Sequence, residues 1–315
     1  MKMGTENGDN TKLMESSNKE KLETFEVGPC EEAYEMGFLI GQRFSHLIKS
    51  GLATDLTLLP FAQSPQSQPL IRFESNSKKY PRYWDELSAT AEGSAVPVLN
   101  NFWKEILPFL PKKEPTTHTD TSDDCSDILV VTDLPMSLWL GTRNALIHSH
   151  FDLCKETEVT LLLHIYLIKA RLPSGLSFTT YTYAGELPSC AFGFNSNGLA
   201  FTLNSVPPTE EEIMVGGIGR NFVSRDLLEA ITLDDSLSRI HSAEASVGHS
   251  YNLIDMKTRK LLNVETASRK RMSVLSVGST PFSMQTCIST FKCSRIEVKS
   301  SPSGQHGHYE TSVGQ

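Results

Sequence analysis

The spacing of apolar residues divides this chain into a helical first part and a strand-rich second part. Apolar residues recur every three or four positions from about 30 to 49, which predicts a helix that Gly51 ends. A second such stretch, from Tyr80 to Gly93, predicts another amphipathic helix. Ahead of both, residues 22–27 read as a short strand that Gly28-Pro29 closes.

The second part begins just after residue 125 with short β-prone runs separated by turn residues. We predict strands over 128–131, 161–170, 177–183, 198–204, 251–255, 260–264 and 272–277. Helical spacing at 221–230 and 233–241 lies between the strand groups and predicts helices that cover the sheets. Helices and strands in separate blocks indicate an α+β fold, with sheet packed on sheet and helical layers outside.

Composition narrows the class of protein. The chain has 315 residues, of which 39% are hydrophobic, and this is enough for a sizeable core. Residues 1–20 are polar and charged, so we expect a disordered tail there rather than a secretory signal. No apolar run reaches membrane-spanning length, and we expect an intracellular, cytoplasmic protein with no membrane partner. The ending Thr311 to Gln315 is not a peroxisomal address of the Ser-Lys-Leu kind.

Charge and cysteine content exclude several partners. The net charge of -8 would repel phosphate backbones, so nucleic acid is not an expected partner. The basic cluster Arg269-Lys270-Arg271 is interpreted as a solvated turn rather than a binding patch. Six cysteines without a CxxC pair favour reduced thiols, and neither a metal site nor another cofactor is predicted.

Cys125 stands out because carboxylates surround it at the start of an apolar run. Exposed as a new N-terminus, it would supply both a thiol nucleophile and an α-amine base with a reference pKa near ~8. The alternative is a free, half-buried thiol at a strand start, and these few residues by themselves favour that alternative. The aspartates at 123, 124 and 127 would raise the thiol pKa by charge repulsion until cleavage creates an ammonium beside it.

Several blocks in a fixed order give the chain a family resemblance. They are Phe25-Glu26-Val27-Gly28-Pro29-Cys30, Tyr34-Glu35-Met36-Gly37, Tyr83-Trp84-Asp85-Glu86-Leu87, Asp124-Cys125-Ser126-Asp127, Tyr183-Ala184-Gly185-Glu186-Leu187-Pro188, Gly193-Phe194-Asn195-Ser196-Asn197-Gly198 and Gly248-His249-Ser250-Tyr251-Asn252-Leu253-Ile254-Asp255. With these blocks the chain resembles the acyl-coenzyme A:isopenicillin N acyltransferase family of cysteine Ntn-hydrolases, and its plant members most closely. The resemblance spans about 21–282, with a gap near 133–154.

The resemblance implies an Ntn-hydrolase αββα sandwich that is incomplete at its C-terminus. Such a precursor cuts itself between Asp124 and Cys125, which gives a smaller part (21–124) and a nucleophile-bearing part (125–282), with residues 283–315 as an irregular tail outside the family pattern. Cys125 would be both the processing residue and the nucleophile. The implied substrates are small acyl amides or acyl thioesters, which react through a thioester acyl-enzyme.

The pocket residues implied by the matching blocks are Tyr183, Glu186, Asn204 and His249, although Tyr183 is equally a candidate for the core. Since the amine of the nucleophile serves as base in this family, no histidine is needed in that role. Relatives hold an aspartate near the nucleophile, and Glu156 is the displaced acidic candidate here. A glycine-rich segment at 216–219 is interpreted as a flexible loop or, less favourably, as an anion site at a helix start.

Two departures from the family pattern support an alternative function. Relatives follow the counterpart of Phe282 with an asparagine that resembles an oxyanion-hole donor, whereas this chain continues Ser283-Met284-Gln285-Thr286. The segment 135–154 also looks foreign. The alternative is therefore a catalytically inactive member, or an aberrant product of an altered transcript, that acts as a binding protein.

Overall fold

The structure, a computed structural model, describes residues 22–54, 73–98, 128–131, 138–141, 164–189, 192–205, 212–277, 283–286 and 294–297. The helices are α1 (Ala33–Arg43), α2 (Ser45–Thr54), α3 (Phe73–Lys79), α4 (Pro81–Ser94), α5 (Arg220–Leu227) and α6 (Leu233–Ser242). The strands are β1 (Thr24–Val27), β2 (Ile128–Val131), β3 (Leu138–Gly141), β4 (Ile165–Arg171), β5 (Ser177–Tyr183), β6 (Phe192–Asn195), β7 (Leu199–Ser205), β8 (His249–Asp255), β9 (Lys260–Ala267), β10 (Arg271–Val277), β11 (Ser283–Thr286) and β12 (Ser294–Glu297).

Eight strands form one sheet in the order β1-β4-β5-β6-β7-β8-β9-β10. The edge pair β1 and β4 is parallel, and each later neighbour is antiparallel to the one before it. Antiparallel order between strands that follow one another in sequence requires only short connections, except between β7 and β8, where α5 and α6 intervene. The pairs β2–β3 and β11–β12 are separate two-stranded units.

Helices pack on one face of the eight-stranded sheet, which we call the helix face. Side chains alternate between the faces along each strand, and the main core contains the helix-face residues Tyr166, Phe178, Phe201, Tyr251 and Val264. The same core includes buried residues of α1, α2, α4 and α5 (Met36, Ile40, Ile48, Leu87 and Phe222). The opposite face, which we call the far face, has its own small apolar cluster of Ile254, Leu261 and Ala200.

Small residues bring α1 and α4 into backbone contact. A Cβ added at Gly37 would collide with the carbonyl oxygen of Glu86, and one at Gly41 would collide with that of Thr90. The two glycines lie one helical turn apart, so they share one face of α1. This close approach fixes the position of Glu86, whose side chain points toward α5.

Most predicted elements are present, and the departures have local causes. The helix predicted over 30–49 is two helices, because the chain bends at Phe44, whose φ of -107° and ψ of 17° are not helical. Gly51 does not end the second helix as predicted, since it is buried within α2 and packing outweighs its weak helix propensity. Strand β6 was not predicted. The segment after Phe282, predicted to be irregular, contains β11 and β12.

The α+β class is confirmed, with helices against a mixed sheet of eight strands. The face-to-face arrangement of two sheets stays a prediction. Within the described ranges, no helix is long and apolar enough to cross a membrane.

Candidate functional site

The residues predicted to line a pocket lie at one end of the eight-stranded sheet. Tyr183 and Asn204 are at the carboxyl ends of β5 and β7, and His249 begins β8, which runs back alongside β7. Glu186 follows β5 in a turn where its backbone N–H donates to the carbonyl of Tyr183 at 3.0 Å. The strand order therefore gathers residues from distant blocks of the sequence at the same edge.

Three of the four residues, Tyr183, Asn204 and His249, lie on strands, and they divide between the two faces of the sheet. Asn204 lies opposite Ser250 in register, on the far face, and Tyr183 shares that face by alternation. The Tyr183 ring packs edge-on against Tyr181 with centroids 5.3 Å apart. His249 lies opposite Ser205 on the helix face. Tyr183 and Asn204 are thus on one side, and His249 is on the other.

A row of buried polar side chains occupies the far face at this same end. This polar row consists of Thr202, Ser250, Asn252, Asn263 and Glu265, all of which are buried. Asn252 Nδ2 donates to Thr202 Oγ1 at 3.0 Å, and Asn263 Nδ2 donates to Asn252 Oδ1 at 2.9 Å and to Ser250 Oγ at 3.2 Å. Sequence reasoning missed this row. Its signal is the period of two in β8 and β9, where polar residues alternate with apolar ones.

Glu186 is held by the first turn of α5. Asn221 Nδ2 donates to Glu186 Oε2 at 2.7 Å, and the Arg220 guanidinium lies 3.6 Å from the same oxygen. The three side chains are buried, and Ser189 Oγ adds a bond to the Asn221 carbonyl at 3.2 Å. A buried carboxylate needs such donors, because it has lost its hydration shell.

His249 is fully buried behind this cluster. Burial lowers its pKa to about 3, and the positive charge of Arg220 acts in the same direction. The backbone N–H of His249 donates to Thr266 Oγ1 at 2.9 Å, and that hydroxyl donates back to the His249 carbonyl at 3.1 Å. The ring is therefore neutral at pH 7 and lies on the helix face of the sheet.

The glycine-rich segment 216–219, before α5, is hydrogen-bonded to Asn76 of α3. Asn76 Oδ1 accepts from the backbone N–H of Gly219 at 2.8 Å, and Asn76 Nδ2 donates to the carbonyl of Gly217 at 3.3 Å. The Gly219 N–H at the helix start is therefore already bonded to Asn76 rather than open to an anion. The negative charge beside this helix start is the Glu186 carboxylate of the chain itself. The structure favours a fixed loop over both interpretations made from the sequence.

Cys125, Asp124 and Glu156 lie outside the described residues, so their predicted roles stay predictions. Among the residues that are described, no group of three or more His, Cys, Asp or Glu side chains could hold a metal ion.

Comparison with known proteins tests the family resemblance predicted from the sequence. Residues 154–292 match the model of a family described as acyl-coenzyme A:6-aminopenicillanic acid acyl-transferase. The resemblance to this acyltransferase family is confirmed. The acyltransferase match starts at 154, near the end of the gap in the predicted resemblance, and it continues past Phe282, where that resemblance was expected to stop.

A relative outside plants also aligns. The chain is 28% identical to a Drosophila melanogaster protein named beta-alanyl-dopamine/carcinine hydrolase, over 79% of this chain and 67% of the relative. The family model and the relative together support hydrolysis of acyl amides or acyl transfer as the class of activity.

Proposed function

We propose that this chain is an acyl-amide hydrolase or acyltransferase whose nucleophile is Cys125, freed by cleavage after Asp124. The observation that carries the proposal is the acyltransferase-family match over 154–292. In this proposal the protein adopts the αββα sandwich of Ntn-hydrolases, and the eight-stranded sheet is one of its two sheets. The far face would then border the reaction site.

Processing needs only groups of the chain and one water molecule. The Cys125 thiol attacks the carbonyl carbon of Asp124, a carbon–sulfur bond forms, and the peptide C–N bond breaks to release the α-amine of Cys125. Water then attacks the thioester, which leaves a carboxylate on Asp124 and restores the thiol. The new amine has a reference pKa near ~8 and lies on the same residue as the nucleophile.

The same residue performs substrate turnover. The amine takes the thiol proton, the sulfur attacks the carbonyl carbon of the acyl amide, and the amine half of the substrate leaves with that proton. The thioester is released to water as an acid, or to another amine as a new amide. The neutral, buried His249 is a poor base at pH 7, which fits a mechanism in which the α-amine is the base.

The end of the sheet offers chemistry that suits an acyl amide. The polar row contains amides (Asn252, Asn263) and hydroxyls (Thr202, Ser250) that are hydrogen-bonded to one another, and these are the kinds of group that pair with a peptide-like group. The relative's name suggests β-alanyl-dopamine and carcinine as the first substrates to test.

The proposal is tested by determining whether the purified protein is one chain or two chains cleaved between Asp124 and Cys125. We expect a denaturing gel to show two bands, with N-terminal sequencing of the larger one starting at Cys125, and a thiol-directed acyl probe to label that chain. Cys125→Ala should give one unlabelled band, and Cys125→Ser, which keeps a weaker nucleophile, should be cleaved more slowly. An uncleaved, unlabelled wild-type protein that still binds acyl amides would instead favour the inactive binding protein.

A further inference from the structure

The eight-stranded sheet begins with β1 and ends with β10, and these two strands differ in the features that protect an outer edge from pairing. β1 has four residues, carries Glu26 and is followed by Gly28-Pro29. A short strand, a charge and a proline all hinder the addition of another strand to an edge. β10 has seven residues, and the stretch from Ser273 to Ser276 at its centre contains neither a charge nor a proline.

The centre of β10 is exposed on both faces of the sheet. Val274 lies opposite Val264 on the helix face and is 43% exposed. Leu275 lies opposite Asn263 on the far face and is 36% exposed, and the serines that flank this apolar pair are exposed as well. Among the described strands, β10 pairs with β9 alone. An exposed apolar edge of this length is a site at which an extended segment adds to a sheet.

Basic residues lie at both ends of this edge. Arg271 begins β10, its side chain is 47% exposed, and its guanidinium has enough N–H donors to bind a second carboxylate beside Glu212. At the other end, Val277 lies opposite Leu261, and the exposed Lys260 comes directly before that residue in β9.

This charge pattern distinguishes between possible partners. If a second copy of the chain paired antiparallel through β10, the Arg271 end of one copy would meet the Lys260 end of the other. Parallel pairing would place the two Arg271 side chains beside each other. Like charges on neighbouring strands are destabilising, so both arrangements are disfavoured. A segment with acidic ends has the complementary charge.

We infer that the outer edge of β10 is a docking site for an extended segment of another protein, which adds to the sheet as its next strand. The segment has acidic residues at its two ends, which face Arg271 and Lys260, and apolar residues at its centre, which cover Val274 and Leu275. Main-chain hydrogen bonds supply the affinity, and the side chains select the segment. No residue of this edge has a role in the proposed function, so the inference does not depend on it.

The experiment uses a short synthetic peptide as the probe. The labelled peptide ETVIVTE, with both termini blocked, is titrated at pH 7 into the full protein, and Kd is measured by fluorescence polarisation. The peptide KTVIVTK has the same apolar centre with lysine ends and is the charge control. We expect ETVIVTE to bind about tenfold more tightly or better, because exposed ion pairs replace like-charge contacts at both ends. In ~1 M salt the difference should shrink to about twofold or less.

Two further measurements locate the contact on β10. The double variant Val274→Ser, Leu275→Ser removes the exposed apolar pair and should weaken the binding of ETVIVTE about tenfold. Leu39→Ser removes an exposed apolar side chain from α1 and should leave Kd unchanged. Hydrogen exchange is followed in residues 271–277, where ETVIVTE should slow the exchange of the β10 amides. Binding to the basic residues by charge alone leaves those amides unprotected.

Several results would overturn the inference. They are a wild type that does not bind ETVIVTE, equal binding of the two peptides, unchanged binding by the folded double variant, or binding without slower exchange in residues 271–277. A wild type that is dimeric by light scattering, with residues 271–277 already protected before peptide is added, would assign the edge to a second copy of the chain and reject the outside partner.

Discussion

The guanidinium of Arg225 and the carboxylate of Glu86 form a fully buried ion pair, with Nε 3.1 Å from both carboxylate oxygens and neither side chain exposed to solvent. The pair joins α5 to α4. The guanidinium also lies over the rings of Tyr83 and Phe178, 4.9 and 4.6 Å from their centroids. Because α5 also carries Arg220 and Asn221, this pair holds the helix that positions Glu186.

Breaking the pair from one side should be costly. Arg225→Met leaves the Glu86 carboxylate buried without its partner, and we expect a loss of about 3–5 kcal/mol in the free energy of unfolding. Lys169→Met, which breaks the exposed pair with Glu26, should cost less than about 1 kcal/mol. Urea denaturation of the two variants checks the difference, and equal effects would contradict the assigned importance of the buried pair.

The contact between α1 and α4 gives a second prediction. Gly37→Ala should destabilise the protein by about 1–3 kcal/mol, since its Cβ meets the backbone of Glu86 and the helices must move apart. Helix propensity alone predicts that Gly37→Ala stabilises the protein, because alanine is more favourable than glycine in a helix by ~1 kcal/mol. Leu39→Ala, at an exposed position of the same helix, is the control and should change stability little. A thermal melt that places Gly37→Ala at or above the wild type would reject this packing.

His249 predicts how stability depends on pH. Its pKa is about 3 in the folded protein and 6.5 ordinarily, so between these values the unfolded chain binds a proton that the folded chain does not. Its contribution to stability is therefore complete above pH 6.5 and is lost as the pH falls toward 3, by up to about 1.4 kcal/mol per pH unit.

Replacement of the ring isolates this contribution. The free energy of unfolding of His249→Gln should fall less steeply than that of the wild type between pH 6.5 and 4, whatever its value at pH 7. His46→Gln changes an exposed histidine and should follow the wild-type profile. Parallel profiles for wild type and His249→Gln would show that the ring is not held neutral by burial.

The contact between Asn221 and Glu186 gives a fourth prediction. Asn221→Asp places a second carboxylate where an amide donates at 2.7 Å, so the variant should be destabilised at pH 7 by repulsion. Lowering the pH toward 4 should reduce that loss, because one carboxylic acid then donates to the other. Asn221→Leu removes the donor without adding charge and should show no such recovery. Denaturation curves at the two pH values decide between a charged contact and simple loss of packing.

Much of the fold was predictable because strand patterns are local. Strand β5 was predicted with its observed bounds, and β8 to β10 within a few residues, since alternation and turn residues act over short stretches. Strand β6 was missed because only four residues lie between turns. The break at Phe44 and the helical Gly51 were missed because the packing of α1 and α2 overrides the local signal.

The site was less predictable. The matching blocks named Tyr183, Glu186, Asn204 and His249, and the structure places them at one end of the sheet. The period-two pattern of polar residues in β8 and β9 was visible as well, yet a polar position in a strand gives no information about which face it occupies or what lies opposite.

The sequence by itself determined the α+β class, the family resemblance and the positions of most strands, because propensity and periodicity depend on neighbours along the chain. Only the tertiary structure decided that His249 and Asn204 lie on opposite faces, that Arg220 and Asn221 hold Glu186, and that Arg225 pairs with Glu86 across 139 residues. The physical reason is that strand register and helix packing set these contacts, and both follow from the burial of apolar surface by the whole chain.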